Sequence, residues 1–184
     1  MEKVSLFSDV IKISPFLYKD IRGFFSEDYN KKDFSKLGIT DNFIQDNVSF
    51  SRYKNTIRGL HFQLKPFAQS KLVKVINGSI YDVFIDLREK SPTYGEFGSY
   101  NLSKNDGWIY IPEGFAHGFC TLEDNTIVSY KVNQYYNKNS ELGILWNDSF
   151  FSINWPLKGA KPIISDKDLG LPLWDEALKK INFR

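Results

Sequence analysis

Gln69-Ser70-Lys71-Leu72-Val73-Lys74-Val75-Ile76-Asn77-Gly78-Ser79-Ile80-Tyr81-Asp82-Val83-Phe84-Ile85-Asp86-Leu87 consists of two apolar-rich runs split by a turn dipeptide. The runs are rich in β-branched and aromatic side chains, which suit a pleated, half-buried surface. Asn and Gly both tolerate positive φ, so Asn77-Gly78 predicts a tight hairpin turn between a strand over residues 70–76 and a return strand over residues 79–87. Side chains alternate across a strand, which puts Tyr81, Val83, Ile85 and Leu87 on one face and Ile80, Asp82, Phe84 and Asp86 on the other. The first set reads as dry core and the second as a mixed lining.

The same rhythm continues to Val132. Strands are predicted over residues 97–102, 108–111, 118–121 and 126–132, with turns at Ser91-Pro92, Asn105-Asp106-Gly107, Pro112-Glu113-Gly114 and Glu123-Asp124-Asn125. So many short strands at this spacing predict an all-β sandwich or barrel. Helix is predicted mainly at the end, where Leu173, Trp174, Ala177, Leu178 and Ile181 recur at helical spacing. Residues 137–168 carry Trp146, Trp155, Pro156 and Pro162 without regular periodicity and are predicted to pack over the sheet as ordered loops.

A chain of 184 residues suits one domain over its whole length. Hydrophobic residues make up 42% and charged residues 25%, an ordinary globular balance, while 16% aromatic residues favour strands. A net charge of +2 with no dense Lys/Arg block argues against a nucleic-acid surface. The segment Met1 to Asp9 lacks the apolar core of a signal sequence and no run approaches membrane-spanning length, so the expectation is a cytoplasmic protein with no membrane partner. Cys120 is the single cysteine; between Phe119 and Leu122 it reads as a buried structural thiol.

Chemistry centres on the two histidines. A strand histidine on its own is most simply a hydrogen-bonded structural residue, a lysine beside it a solvent-facing side chain, and a tyrosine between two valines a core residue. The segments around them are more informative together. Arg22-Gly23-Phe24-Phe25, Arg58-Gly59-Leu60-His61-Phe62-Gln63, Gln69-Ser70-Lys71-Leu72-Val73, Pro112-Glu113-Gly114-Phe115-Ala116-His117-Gly118-Phe119, Tyr130-Lys131 with Tyr135-Tyr136, and Ser165-Asp166-Lys167-Asp168 occur in that order. With these six segments the chain resembles the dTDP-4-dehydrorhamnose 3,5-epimerase family, a cupin-like jelly-roll group, over nearly its whole length.

The resemblance implies an epimerase that inverts C3, C5 or both of a nucleoside diphosphate 4-keto-6-deoxy sugar, dTDP-linked or a GDP-linked heptose, in deoxysugar biosynthesis for surface polysaccharide. It needs no cofactor and no metal. His61 corresponds to the base, Asp168 to the carboxylate paired with it, Tyr130 to the acid on the opposite ring face, and Lys71 to the cation near the enolate oxygen; His117 supplies a hydrogen bond to the sugar or its keto oxygen. A hydrogen on the carbon beside a ketone is acidic because the negative charge left by its removal spreads onto the carbonyl oxygen, so a base at carbon and a cation at oxygen make chemical sense. Arg22, Glu27, Gln45, Asn47, Arg58, Glu141 and Lys167 correspond to the nucleotide groove, with Arg58 and Lys167 near the diphosphate and Tyr136 stacked on the base. The segment carrying Arg22 and Glu27 corresponds to one that reaches a partner subunit's site, which implies a homodimer. Two positions depart from the common pattern: Ser70, where glycine is frequent, and Leu142 after Glu141, where arginine is frequent.

Two other readings compete. A metal-dependent cupin enzyme needs several histidines, and the chain has two on separate segments without a His-x-His pair. A non-catalytic sugar-binding jelly roll would keep the groove and its aromatics but gives no joint role to His61, Asp168, Tyr130 and Lys71.

Overall fold

The computed structural model describes residues 1–181. In chain order the elements are β1 (Glu2–Phe7), β2 (Val10–Ser14), β3 (Tyr18–Asp20), β4 (Gly23–Phe25), α1 (Lys31–Lys36), β5 (Gln45–Ser51), β6 (Ile57–Gln63), β7 (Lys71–Asn77), β8 (Ser79–Asp86), β9 (Phe97–Ser103), β10 (Trp108–Ile111), β11 (Phe115–Thr121), β12 (Thr126–Val132), β13 (Glu141–Gly143), α2 (Asp166–Leu169) and α3 (Trp174–Leu178). Two antiparallel sheets carry the fold, in the orders β1-β2-β10-β7-β12-β5 and β13-β6-β11-β8-β9, and β3 with β4 forms a separate hairpin. This is the all-β, cupin-like sandwich expected from the sequence, with two of its three short helices near the C-terminal end.

The alternation read in β8 becomes two buried layers. Ile80 and Phe84 pack with Val73, Val75, Ile109, Phe115 and Val128 between the sheets. Val83, Ile85 and Leu87 face away from that space, and with Tyr81 they meet Trp155, Trp174, Ile144 and Phe151 of the C-terminal segment. The stretch 137–168 therefore packs over the second sheet, as the tryptophans in it suggest, but it is not all loop: it also supplies β13, which pairs with β6 at the edge of that sheet, and the first residues of α2. A third cluster lies outside the first sheet, where Phe34 and Ile39 pack on Ile11, Ile13, Leu72 and Trp108. Helix α1 delivers Phe34 there: the Asn30 side chain accepts a hydrogen bond from Lys32 N at 2.9 Å, capping the first turn, and Asp33 pairs with Lys36 at 2.6 Å.

One expectation fails. Asn77-Gly78 does make a tight reversal, with Gly78 at φ +80°, but β7 and β8 do not pair as a hairpin. Both neighbours of β7 are already taken, by β10 and β12, and β8 pairs instead with β11 and β9 in the opposite sheet. The turn thus steps the chain from one layer to the other. A turn dipeptide sets how sharply the backbone reverses; which strand supplies the partner is decided by long-range pairing. A smaller difference is that β11 starts at Phe115, three residues before the predicted strand, so that His117 lies within it.

Cys120 is fully buried and unpaired, and burial pushes its thiol up to about 11, in keeping with a structural role. Among the described residues no helix is long and apolar enough to cross a membrane.

Candidate active site

A cavity of about 550 Å³ opens between the two sheets, lined by β6 and β11 on one side, β7, β12 and β5 on the other, and β13 and α2 at its rim. His61, Lys71, His117, Tyr130, Tyr136, Glu141, Arg58, Lys167 and Asp168 all line it. Strand pairing explains much of this convergence. His61 and His117 are register partners on β6 and β11, so their side chains leave the sheet on the same face. Across the gap Tyr130 sits on β12 opposite Val73 of β7, and Lys71 opposite Val132.

His61 Nε2 lies 2.8 Å from Asp168 Oδ1. Asp168 is 5% exposed, and its second oxygen accepts a hydrogen bond from Gly59 N at 3.0 Å. Burial pushes the Asp168 carboxyl up, but the hydrogen bonds from His61 and Gly59 outweigh it and leave the group below the ordinary carboxylate range. The carboxylate is therefore charged at neutral pH and holds the imidazole by one nitrogen, leaving Nδ1 free to exchange a proton. Its placement depends on α2, whose N-cap Ser165 accepts from Asp168 N at 3.2 Å.

Lys71 does not point to solvent: it lines the cavity and donates from Nζ to His61 O at 3.3 Å. Burial pulls its ammonium down to about 8, against the charges of Asp82 and Glu141, which hold it up. It remains a cation at neutral pH. Burial raises the Tyr130 phenol above its ordinary value, an effect that keeps it protonated.

Asp82 lies outside the six sequence segments that point to the site. It is fully buried, and its Oδ1 lies 2.7 Å from His117 Nε2, making a second histidine–carboxylate pair of which only the histidine lines the cavity. Burial lowers His117 below the ordinary imidazole value in spite of Asp82, so the ring is neutral and can donate one hydrogen bond while accepting another. The signal was present in the alternation of β8, which places a carboxylate on the inner face beside Ile80 and Phe84; a charge on a core face needs a partner.

At the rim Glu141 accepts from Lys167 Nζ at 2.6 Å and from Tyr136 Oη at 2.8 Å. Arg58 donates to Ser51 Oγ at 3.1 Å and to Phe50 O at 2.8 Å, which fixes its guanidinium against β5. Four predicted residues lie outside the cavity lining. Gln45 and Asn47 sit next to it, bonded to each other at 2.8 Å, with Gln45 Oε1 also accepting from Tyr136 N at 3.4 Å. Arg22 is exposed on the β3–β4 hairpin and paired with Asp20, and Glu27 accepts from Asn30.

The backbone supports the site closely. Gly59 has φ +103°, and a Cβ there would sit 2.7 Å from His117 O and 2.9 Å from Gly118 Cα. Gly59→Ala is therefore expected to cost about 2–3 kcal/mol and to lower Tm by roughly 4–12 °C, measured by calorimetry. A change below 1 °C would show that β6 and β11 can separate at this point.

Comparison with known proteins agrees with the geometry. A family profile for dTDP-4-dehydrorhamnose 3,5-epimerase matches residues 5–176. The enzyme of that name from Shigella flexneri is 47% identical over 163 residues, covering 88% of each chain, and that from Methanothermobacter thermautotrophicus is 47% identical over 169 residues, covering 90% of this chain and 89% of the relative. The crystal structure of the Bacillus anthracis enzyme with TDP and pyrophosphate bound is 52% identical with a TM-score of 0.87, covering 90% of this chain and 94% of that one. The Legionella pneumophila enzyme in complex with dTDP-4-keto-L-rhamnose is 38% identical with a TM-score of 0.88, covering 98% and 94%. On sequence, fold and the residues gathered in its cavity, the chain belongs to the dTDP-4-dehydrorhamnose 3,5-epimerase family of isomerases.

Proposed function

We propose that this chain inverts C3 and C5 of dTDP-4-dehydro-6-deoxyglucose, or a closely related dTDP-linked 4-keto-6-deoxy sugar, by removing and returning protons. The observation that carries the reading is the one cavity that holds a carboxylate-paired imidazole, a phenol and a half-buried ammonium. His61 Nδ1 takes the proton from the carbon beside the ketone. The C–H electron pair moves into the carbonyl, and Lys71 stabilises the resulting enolate oxygen with His117 as a further hydrogen-bond partner. Tyr130 returns a proton to the other ring face, and the tyrosinate and imidazolium then exchange with solvent. Asp168 supports the imidazolium while it exists.

Lys167, Arg58 and Tyr136 would hold the diphosphate and base, with Gln45, Asn47 and Glu141 beside them. A homodimer is supported by the β3–β4 arm, which presents Phe24 and Phe25 at 65% and 69% exposure and Ile21 fully to solvent; Arg22 and Glu27 belong to this segment. The relatives named above support a dTDP sugar, whereas a GDP-linked heptose finds no support in them, and neither does a metal-dependent or non-catalytic reading. Incubation with a panel of dTDP- and GDP-linked 4-keto sugars tests the assignment: turnover of the dTDP sugar is expected, and turnover confined to GDP sugars would overturn it.

The cation at Lys71 predicts a pH limit. Its ammonium is charged below about 8 and is lost as pH rises through that value. The kcat/KM of the wild-type protein should therefore fall on the alkaline side with a midpoint of about 8, and the residual activity of Lys71→Arg should lack that limb, because guanidinium keeps its charge. The same limb in both proteins would assign it to another group.

A further inference from the structure

The geometry points to Gln63 as a positioning residue that sets the Tyr136 turn against the His61 strand without itself binding substrate. Gln63 lines the cavity yet is 4% exposed. Its Nε2 donates to Phe67 O at 2.7 Å and to Tyr135 O at 3.2 Å, and its Oε1 accepts from Asn137 N at 2.6 Å. Both amide protons are thus spent on backbone carbonyls, and the carbonyl oxygen is engaged by a backbone N–H. A side chain so occupied has no donor left to offer a ligand.

What it does hold is the path between two parts of the site. Residues 133–140 connect Tyr130 on β12 to Glu141 on β13, and Tyr136 stands in the middle of that path. Gln63 grips both sides of Tyr136, through Tyr135 O and Asn137 N, from a strand position two residues beyond His61. Glu141, register partner of Gln63 across β6 and β13, takes the Tyr136 hydroxyl. The ring is therefore fixed at its backbone by Gln63 and at its tip by Glu141. A buried amide that loses these bonds leaves two carbonyls and one N–H unpaired, so the turn must loosen or admit water.

This inference rests on the proposed role of Tyr136 as the platform for the nucleotide base. The test compares wild type, Gln63→Met, Tyr136→Ala and the double variant, measuring kcat, KM and dTDP affinity by calorimetry. Gln63→Met should raise KM and weaken dTDP by about tenfold with kcat within about twofold, and should add no further loss in the Tyr136→Ala background, because both act on one platform. If Tyr136→Ala weakens dTDP but Gln63→Met does not, or if the two losses multiply, the positioning role is wrong while the platform survives. If Tyr136→Ala leaves dTDP binding unchanged, the platform itself falls and the inference with it. Hydrogen exchange on the wild-type protein needs no variant to fold: the Asn137 amide should be protected like those of β6, and exchange as fast as a free loop would contradict the clamp.

Discussion

His61→Asn is expected to reduce exchange of the sugar's C3 and C5 hydrogens with solvent by about 10³-fold, while dTDP affinity stays within a few-fold of wild type. The reason lies in what the substitution keeps and removes. An amide can still donate to Asp168, which sits 2.8 Å from the imidazole and also accepts from Gly59 N, so α2 and β6 retain their contact. The group that accepts a carbon-bound proton is gone, and the nitrogens that remain are poor substitutes: burial lowers His117 below the ordinary imidazole value, which weakens it as a base, and Lys71 is a cation. Arg58, Lys167 and Tyr136 are untouched, which is why nucleotide binding should persist. Exchange at more than a tenth of the wild-type rate would remove His61 from the chemistry.

Tyr130→Phe should separate two events that wild type couples. Removing the hydroxyl leaves the base, its carboxylate and the ammonium in place, so deuterium should still enter at a rate within about tenfold of wild type, whereas net inversion should fall by about 10²–10³-fold. The phenyl ring keeps the packing of a residue that borders the inter-sheet core beside Val128. Proton NMR of the recovered sugar in D₂O reads both rates in one sample. Normal inversion would mean that water or another residue serves the second face.

Much of this site was legible in the sequence because strand periodicity and ordered motifs carry it. Alternation in β8 separated Ile80 and Phe84 from Val83 and Ile85, and the structure places the two sets in different buried layers. The N-terminal strands were harder to read. In β5 the inward side chains are Gln45, Asn47, Ser49 and Ser51, while Val48 and Phe50 are 72% and 51% exposed, the reverse of the usual pattern for an edge strand packed on a core. The strands β3 and β4 have three residues each and are exposed throughout. The Asn77-Gly78 turn shows a different limit, since local chemistry specifies a reversal but carries no information about the layer in which the next strand finds its partner. Asp82 was visible as an inward carboxylate, but its partner His117 lies 35 residues away and is brought to it by the pairing of β11 with β8.

In the proposed mechanism each inverted carbon gives up its proton to the protein and receives another from it. The most direct measurement is the solvent label in the product made by wild-type protein from dTDP-4-dehydro-6-deoxyglucose in D₂O, read by NMR and mass spectrometry during the first turnovers. We predict deuterium at both C3 and C5 of the inverted sugar; an inverted product that retains its original hydrogen at those carbons would rule this mechanism out.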